Sequence, residues 1–394
     1  MTVDRLLPTE EGADLVELAR EIAAAELAPC AAAAEAAGQF PRETLRLLGE
    51  AGVLGLPYPE EYGGSGQPYE LYLQVLEELA SAWMTVGLAV SVHVMSLYPL
   101  ATFGTEAQRT RYLPDLVGGQ RLGAYALSEA QAGSDIAGMT TRAKPGAEGF
   151  DISGAKAWIT HGGVADFYTT FVRTGEDGSG LSCFHLPAPA TGLSFGTPEH
   201  KMGLTASPTT ALYFDAVHVG DDQLLGPEGQ GMKIALAALD SGRLGIAACA
   251  TGLAQAALDL AVGYAKERVQ FGRPIAEFQG CTFLLAEMAA AVDTARACYL
   301  LGARKRDAGM SFTRDAAVAK MVATDTAMKV TTDAVQVLGG YGYTRDFPAE
   351  RYMREAKVTQ IFEGTNQIQR LVIGRQLLRT PLEGSGGIPA GSNS

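Results

Sequence analysis

The stretch TQIFEGTNQIQRLVIGRQ, residues 359–376, places a single carboxylate, Glu363, at the joint between two apolar-striped segments. Ile361 and Phe362 precede it, and Ile368, Leu371 and Val372 follow at helical spacing. Apolar neighbours that strip water from a carboxylate raise its pKa towards working pH and strengthen it as a base. A plainer possibility uses the same residues: one helix stops at Gly364, Thr365 caps the next, and Glu363 is incidental. The joint alone leaves both open.

Other groups could bind rather than react. In YALSEAQAGSD (125–135), Tyr125 offers a ring, Ser128 and Ser134 offer hydroxyls, and Gly133 lets the backbone approach a ligand. GPEGQGMK (226–233) reads as a tight turn feeding a helix. HGGVAD (161–166) fits the short HxxxxD pattern of some membrane-associated acyltransferases, but His161 ends a strand-like run. No GxGxxG follows a strand and no GxxxxGK[ST] occurs, so the nicotinamide and P-loop fingerprints are missing. The five histidines form no HxH or HExxH, and the five cysteines form no CxxC, so no metal site is expected.

Composition narrows the class. Of 394 residues, 47% are apolar and 19% charged, as in an ordinary globular protein. Lys and Arg number 31 against 44 Asp and Glu, a net charge of −13, which speaks against broad nucleic-acid binding. An anionic ligand would need locally placed arginines. The scattered cysteines suit a cytoplasmic protein. The acidic start MTVDRLLPTEEGADL lacks the basic opening of a signal peptide, and no unbroken run of about 18 apolar residues predicts a membrane span.

The positioning elements fall into three textures. Residues 1–122 are rich in Ala, Leu and Glu with helical periodicity, broken at PYPEEYGGSGQP. From 123 to about 231, short alternating runs such as FDISGAKAWIT and TALYFDAVHV predict an antiparallel barrel or sandwich. Residues 232–382 return to long helical stretches with short connections, predicting a bundle of four or more helices. The remainder, 383–394, reads as a flexible tail. An α+β multidomain protein of this order should carry its chemistry where the modules meet.

With seven motifs in order, the chain resembles the acyl-CoA dehydrogenase family from roughly residue 10 to residue 380: YALSEAQAGSD, AKAWITHGG, KMGLTASPTTALYF, LDSGRLGIA, ERVQFGRPIAEFQ, QVLGGYGY and IFEGTNQIQRLVI. The likeness is closest to the short-chain branch. It implies an N-terminal helical domain, a middle antiparallel β-barrel domain, a C-terminal four-helix bundle, and FAD. Matching positions imply that Tyr125, Leu127, Ser128, Trp158, Ile159 and Thr160 line the flavin. Arg268, Gln270 and Phe271 would reach the FAD of a neighbouring subunit, with Phe278 and Gln279 close by, and Gln336, Gly340, Thr365 and Gln367 complete the set. Ser134, Asp240, Arg243 and Gly364 match substrate positions, and Glu363 matches the base that takes the α-proton while flavin N5 accepts the β-hydride. The thioester carbonyl would be polarised by the Glu363 N–H and a ribityl hydroxyl. Some relatives carry the base on the long helix, at the position that is Gly242 here.

The implied substrate is a short or short branched acyl-CoA, the implied electron acceptor an electron-transfer flavoprotein, and the implied assembly a homotetramer or homodimer. Alternatives are a carrier-protein-bound acyl group, an O2-using oxidase or monooxygenase relative, or a non-enzymatic scaffold, which would be colourless. Acyl length would depend on a pocket lined from Tyr69–Ala80 and Leu236–Thr251. Three departures from the family pattern stand out: Ala130 for proline, His161 for asparagine and Thr205 for arginine. The first two should affect loops only, and Thr205 has no assigned role.

Overall fold

The computed structural model describes residues 3–146, 148–175 and 180–379. The Ala- and Leu-rich N-terminal third forms α1 (Glu11–Ile22), which runs through a π turn into α2 (Ala28–Ala37), then α3 (Arg42–Glu50), α4 (Tyr69–Ala82), α5 (Met84–Phe103) and α6 (Glu106–Val117). Thr105 and Gln108 form a capping box on α6, satisfying two backbone N–H groups at once.

Eight strands follow: β1 (Gly123–Ala126), β2 (Arg142–Gly146), β3 (Gly149–Thr160), β4 (Phe167–Thr174), β5 (Gly180–Pro187), β6 (Leu193–Phe195), β7 (Thr209–Val219) and β8 (Leu224–Leu225). Their order in the sheet is β6-β7-β3-β2-β4-β5-β8, with β1 against β4. Most pairings are antiparallel, as the alternating texture predicts, but β1 joins β4 in parallel and β2 touches β4 in parallel at one pair. The sheet is therefore mixed. Parallel neighbours are separated by long connections, which period-2 patterning cannot register.

The C-terminal third is three long helices and two shorter ones: α7 (Gly231–Glu267), α8 (Gln279–Asp307), α9 (Thr313–Leu338), α10 (Ala349–Thr359) and α11 (Asn366–Arg379), with a hairpin of β9 (Val269–Gln270) and β10 (Arg273–Pro274) after α7. Small residues let α7 lie close to its neighbours. At Gly252 a side chain would collide with the Glu77 carbonyl of α4. Asp307, ending α8, accepts the backbone N–H groups of Tyr69 and Glu70 at 2.9 Å each and so caps α4.

One apolar cluster runs through both helical thirds and takes in Phe167, Phe171, Leu181 and Cys183 of the sheet. A second lies wholly among the strands. Two helices, Met84–Phe103 and Gly231–Glu267, are long and apolar enough to cross a membrane by length and composition alone. In each, 78% of the most apolar window is buried inside the protein. The tail expected over 383–394 lies outside the described residues.

Candidate active site

Glu363 sits in the turn between α10 and α11, with φ at +51°. That left-handed backbone is unusual for a side-chain-bearing residue and marks a constrained position. The constraint comes from α9. Lys320 Nζ donates to Gly364 O and to Asn366 Oδ1, both at 2.9 Å. Asn366 Nδ2 donates to Thr324 Oγ1 at 2.9 Å and Asp325 Oδ1 at 2.7 Å. Gln369 Nε2, from the first turn of α11, reaches Gly364 O at 2.8 Å. Thr365 does cap α11, lying 3.3 Å from the N–H of Ile368. The cap and the exceptional glutamate coexist.

The residue is part-exposed as a whole, yet its Oε2 is buried and has no hydrogen-bond partner. Burial pushes the carboxyl up to about 7, against the opposing charges of Lys320 and Arg243. It faces α7 at Gly242, where an added Cβ would stand 2.5 Å from Glu363 Oε2. The missing side chain at Gly242 is the space that the carboxylate occupies.

Asp240 and Arg243 lie alongside. Arg243 donates to Asp240 Oδ1 at 2.7 Å, and Thr313 donates to Asp240 Oδ2 at 2.6 Å. A Cβ on Gly364 would come 3.9 Å from an Arg243 terminal nitrogen, so the guanidinium borders the turn. Tyr69 closes another side, its hydroxyl donating to Ser241 O at 2.9 Å. Buried polar atoms without partners gather here: Ser241 Oγ, Arg243 Nε, Glu363 Oε2 and Gln369 Oε1. Such atoms are costly unless something polar completes them, which fits a ligand-binding site.

The strand residues form an adjoining wall. Tyr125, on β1, is buried with its hydroxyl 3.3 Å from Ala235 O of α7, and it lies within the electrostatic reach of Glu363. Leu127 and Ile159 are buried, while Ser128 and Thr160 are half-buried. The two segments are tied by Ala157 N–H to Ser128 O at 2.9 Å and by Lys156 Nζ to Leu127 O at 3.0 Å. Between them Trp158 stands 60% exposed at a positive φ of +63°, beside a register shift in β3. Ser134 is exposed on the loop after β1.

A separate group lies at the far end of α7. Arg268, Gln270 and Gly340 line a groove of about 460 Å³ with Tyr264 and Tyr341. Phe271 is 95% exposed at the hairpin tip, its ring 6.0 Å from that of Phe278. Gln279 and Gln336 are exposed, as is Gln367, which instead lies on the first turn of α11 beside the Glu363 turn. Asp240 and Arg268 are 28 residues apart, roughly 42 Å along a straight helix. One subunit does not close a single pocket around both groups.

Family profiles match in three consecutive pieces: acyl-CoA dehydrogenase N-terminal domain over residues 9–120, middle domain over 124–217 and C-terminal domain over 229–378. The chain belongs to the acyl-CoA dehydrogenase family. A short-chain-specific acyl-CoA dehydrogenase of Clostridium acetobutylicum is 41% identical over 366 residues, covering 92% of this chain and 97% of its own. Butyryl-CoA dehydrogenase from Megasphaera elsdenii superposes with a TM-score of 0.92 at 41% identity, covering 96% of this chain and all of the other. A chain in a structure titled for the electron transferring flavoprotein of Acidaminococcus fermentans superposes at 0.93 with 42% identity, over 96% of this chain and 100% of its own. The protein is accordingly an enzyme, a flavoprotein oxidoreductase of the acyl-CoA dehydrogenase kind.

Membership in this family implies FAD, and the β-side residues fit it. An open indole stands on a half-buried polar strand edge, offering a face for a planar ring with Ser128 and Thr160 as polar contacts. Among the described residues, no group of three His, Cys, Asp or Glu could hold a metal ion.

One departure expected to affect only a loop, His161, proves to be buried structure, and Thr205 gains a partner. His161 is buried, with Nδ1 2.9 Å from Gly123 O, and burial lowers its pKa to about 4. Asp166, the other end of the HxxxxD pattern, pairs with Arg42 and accepts the Leu122 N–H at 2.7 Å. That pattern is therefore structural. Thr205, left without a role by sequence, places its hydroxyl 2.7 Å from the buried Glu35 Oε2. Ala130 is exposed on its loop.

Sequence reasoning missed Lys320 and the Glu129–Lys156 pair. Lys320 interrupts an alanine stripe at helical spacing, Ala316, Ala319, Ala323 and Ala327, and that was the available signal. Lys156 Nζ meets Glu129 Oε1 at 3.0 Å inside the protein. Both residues lie in quoted motifs, but neither motif shows that they touch.

Proposed function

We propose that the protein dehydrogenates a short or short branched-chain acyl-CoA to the trans-2-enoyl-CoA, with Glu363 removing the α-proton. The observation that carries this is the buried, unpartnered Glu363 Oε2 held against the bare backbone of Gly242. A carboxylate kept from water and without a hydrogen-bond donor retains its basicity for a substrate C–H. Arg243, Asp240, Ser134 and Gly364 would hold and orient the thioester, and Tyr125, Leu127, Ser128 and Trp158 to Thr160 would hold FAD. Bound FAD supplies the hydride acceptor. Glu363 stands on the helical side of the site and the indole wall on the strand side, an arrangement suited to opposite faces of an acyl chain.

The Arg268 groove lies too far along α7 to serve the same flavin. It would serve the FAD of a second copy, in a homodimer or homotetramer, and an electron-transfer flavoprotein would reoxidise the enzyme. Anaerobic mixing with a series of acyl-CoAs tests the main claim. Short chains should bleach the yellow flavin, at a rate that rises with pH through about 7, because only ionised Glu363 accepts a proton. Glu363→Gln should retain FAD and lose roughly 10²–10⁴-fold of the bleaching rate. Unchanged turnover in that variant would remove Glu363 from the chemistry.

A further inference from the structure

Lys320 is fully buried in the alanine face of α9, and among the described residues it makes no ion pair. Buried ammonium groups are expensive and nearly always neutralised by a direct partner. This one instead spends its hydrogen bonds on the turn that carries Glu363. One goes to the carbonyl of Gly364, the next residue, and one to the Asn366 side chain.

We infer that Lys320 is a positioning residue for the base: its ammonium fixes the turn that aims Glu363, and its charge favours the ionised form of that carboxylate. The inference rests on Glu363 being the base. Titratable groups that share an electrostatic influence with Glu363 are Arg243 and Cys249 on α7, Tyr69 and Tyr72 on α4, Tyr125 on β1 and Lys320 on α9. Only two of these are cations, and Arg243 is already paired with Asp240 at 2.7 Å. The groups acting on Lys320 are Glu363, Arg243 and Asp325. Burial lowers Lys320 to about 7 and raises Glu363 to about 7, so the charge of each biases the other across the same range. Asn366 is locked in turn by Thr324 and Asp325, one helical turn along from Lys320, so α9 forms a rack beneath the turn. The +51° φ of Glu363 is a strain that such a rack can hold.

The test is anaerobic flavin reduction by butyryl-CoA as a function of pH, in Lys320→Met and Lys320→Gln. Both lose the charge, and both should move the acid limb of the rate upward by about one pH unit, a tenfold smaller ionised fraction at a fixed pH below the limb. Gln can still donate to Gly364 O, so its limiting rate at high pH should approach wild type, while Met should remain about tenfold slower because the turn is loosened. Acyl-CoA affinity should change less than about threefold in either, separating kcat from KM. A wild-type acid limb in both variants overturns the inference, as would failure of both to fold with FAD, which would assign Lys320 to the fold alone. Glu363→Gln is run beside them. If it still bleaches, the base assignment itself fails; if it is inactive while both Lys320 limbs stay unmoved, only the Lys320 inference falls.

Discussion

Replacing Gly242 by alanine adds one methyl group where α7 faces Glu363. Its Cβ would stand 2.5 Å from Glu363 Oε2, where ordinary contact begins at 3.4 Å, and closer still to Met95 Sδ. The carboxylate must then retreat by about 0.9 Å, the difference between those two distances. Both obstructing atoms belong to flexible side chains, so the helix survives and the Glu363 carboxylate moves. Overpacking of this kind costs about 1–3 kcal/mol of stability, whereas a displacement near 1 Å of a reacting group costs roughly 10²-fold in rate. Gly242→Ala should therefore melt a few degrees lower and bleach about a hundredfold more slowly with butyryl-CoA. Gly263→Ala on the same helix is the stability control. Nothing lies within 4 Å of its added Cβ, so it should gain about 0.5–1 kcal/mol from better helix propensity. A Gly242→Ala enzyme that reduces its flavin at the wild-type rate would show that the carboxylate is not working from beside α7.

Three further substitutions test the supporting structure. Glu355 is buried, its Oε1 has no hydrogen-bond partner, and burial pushes it from 4.5 up to about 8, with Glu35 adding to the shift and Arg351, 3.8 Å away, opposing it. A carboxyl with a raised folded pKa stabilises fully below 4.5 and loses that stability as pH climbs through about 8. Glu355→Gln should flatten this slope and melt higher than wild type at pH 8; parallel melting curves across pH would contradict it. Thr205→Val removes a hydroxyl 2.7 Å from the buried Glu35 carboxylate and should cost about 1–3 kcal/mol in denaturant unfolding without changing FAD content. Lys156→Met leaves Glu129 buried without its cation and should cost about 3–5 kcal/mol. It also frees Leu127 O beside the proposed flavin site, so FAD should dissociate more readily, as fluorescence of released flavin would report.

Local pattern carried a good deal of this protein. The small, apolar stretch from Gly231 to Glu267 has no proline and few β-branched residues, and it forms one unbroken 37-residue helix whose middle is buried on every side. The joint at Glu363 and Gly364 was visible because an apolar stripe halts there on a glycine, whose φ is +92°. The bare position at Gly242 was equally plain, because an absent side chain can be read from the letters. What sequence could not supply was the partner of each charge. Lys320 looks like a misplaced surface residue until α9 is laid under the α10–α11 turn, and Thr205 looks dispensable until Glu35 arrives from 170 positions away. The parallel seam of β1 on β4 has the same origin. Helical and strand periods come from bonds between near neighbours, whereas the desolvation that raises the pKa of Glu363, and the cations that oppose it, come from residues brought together only by tertiary packing.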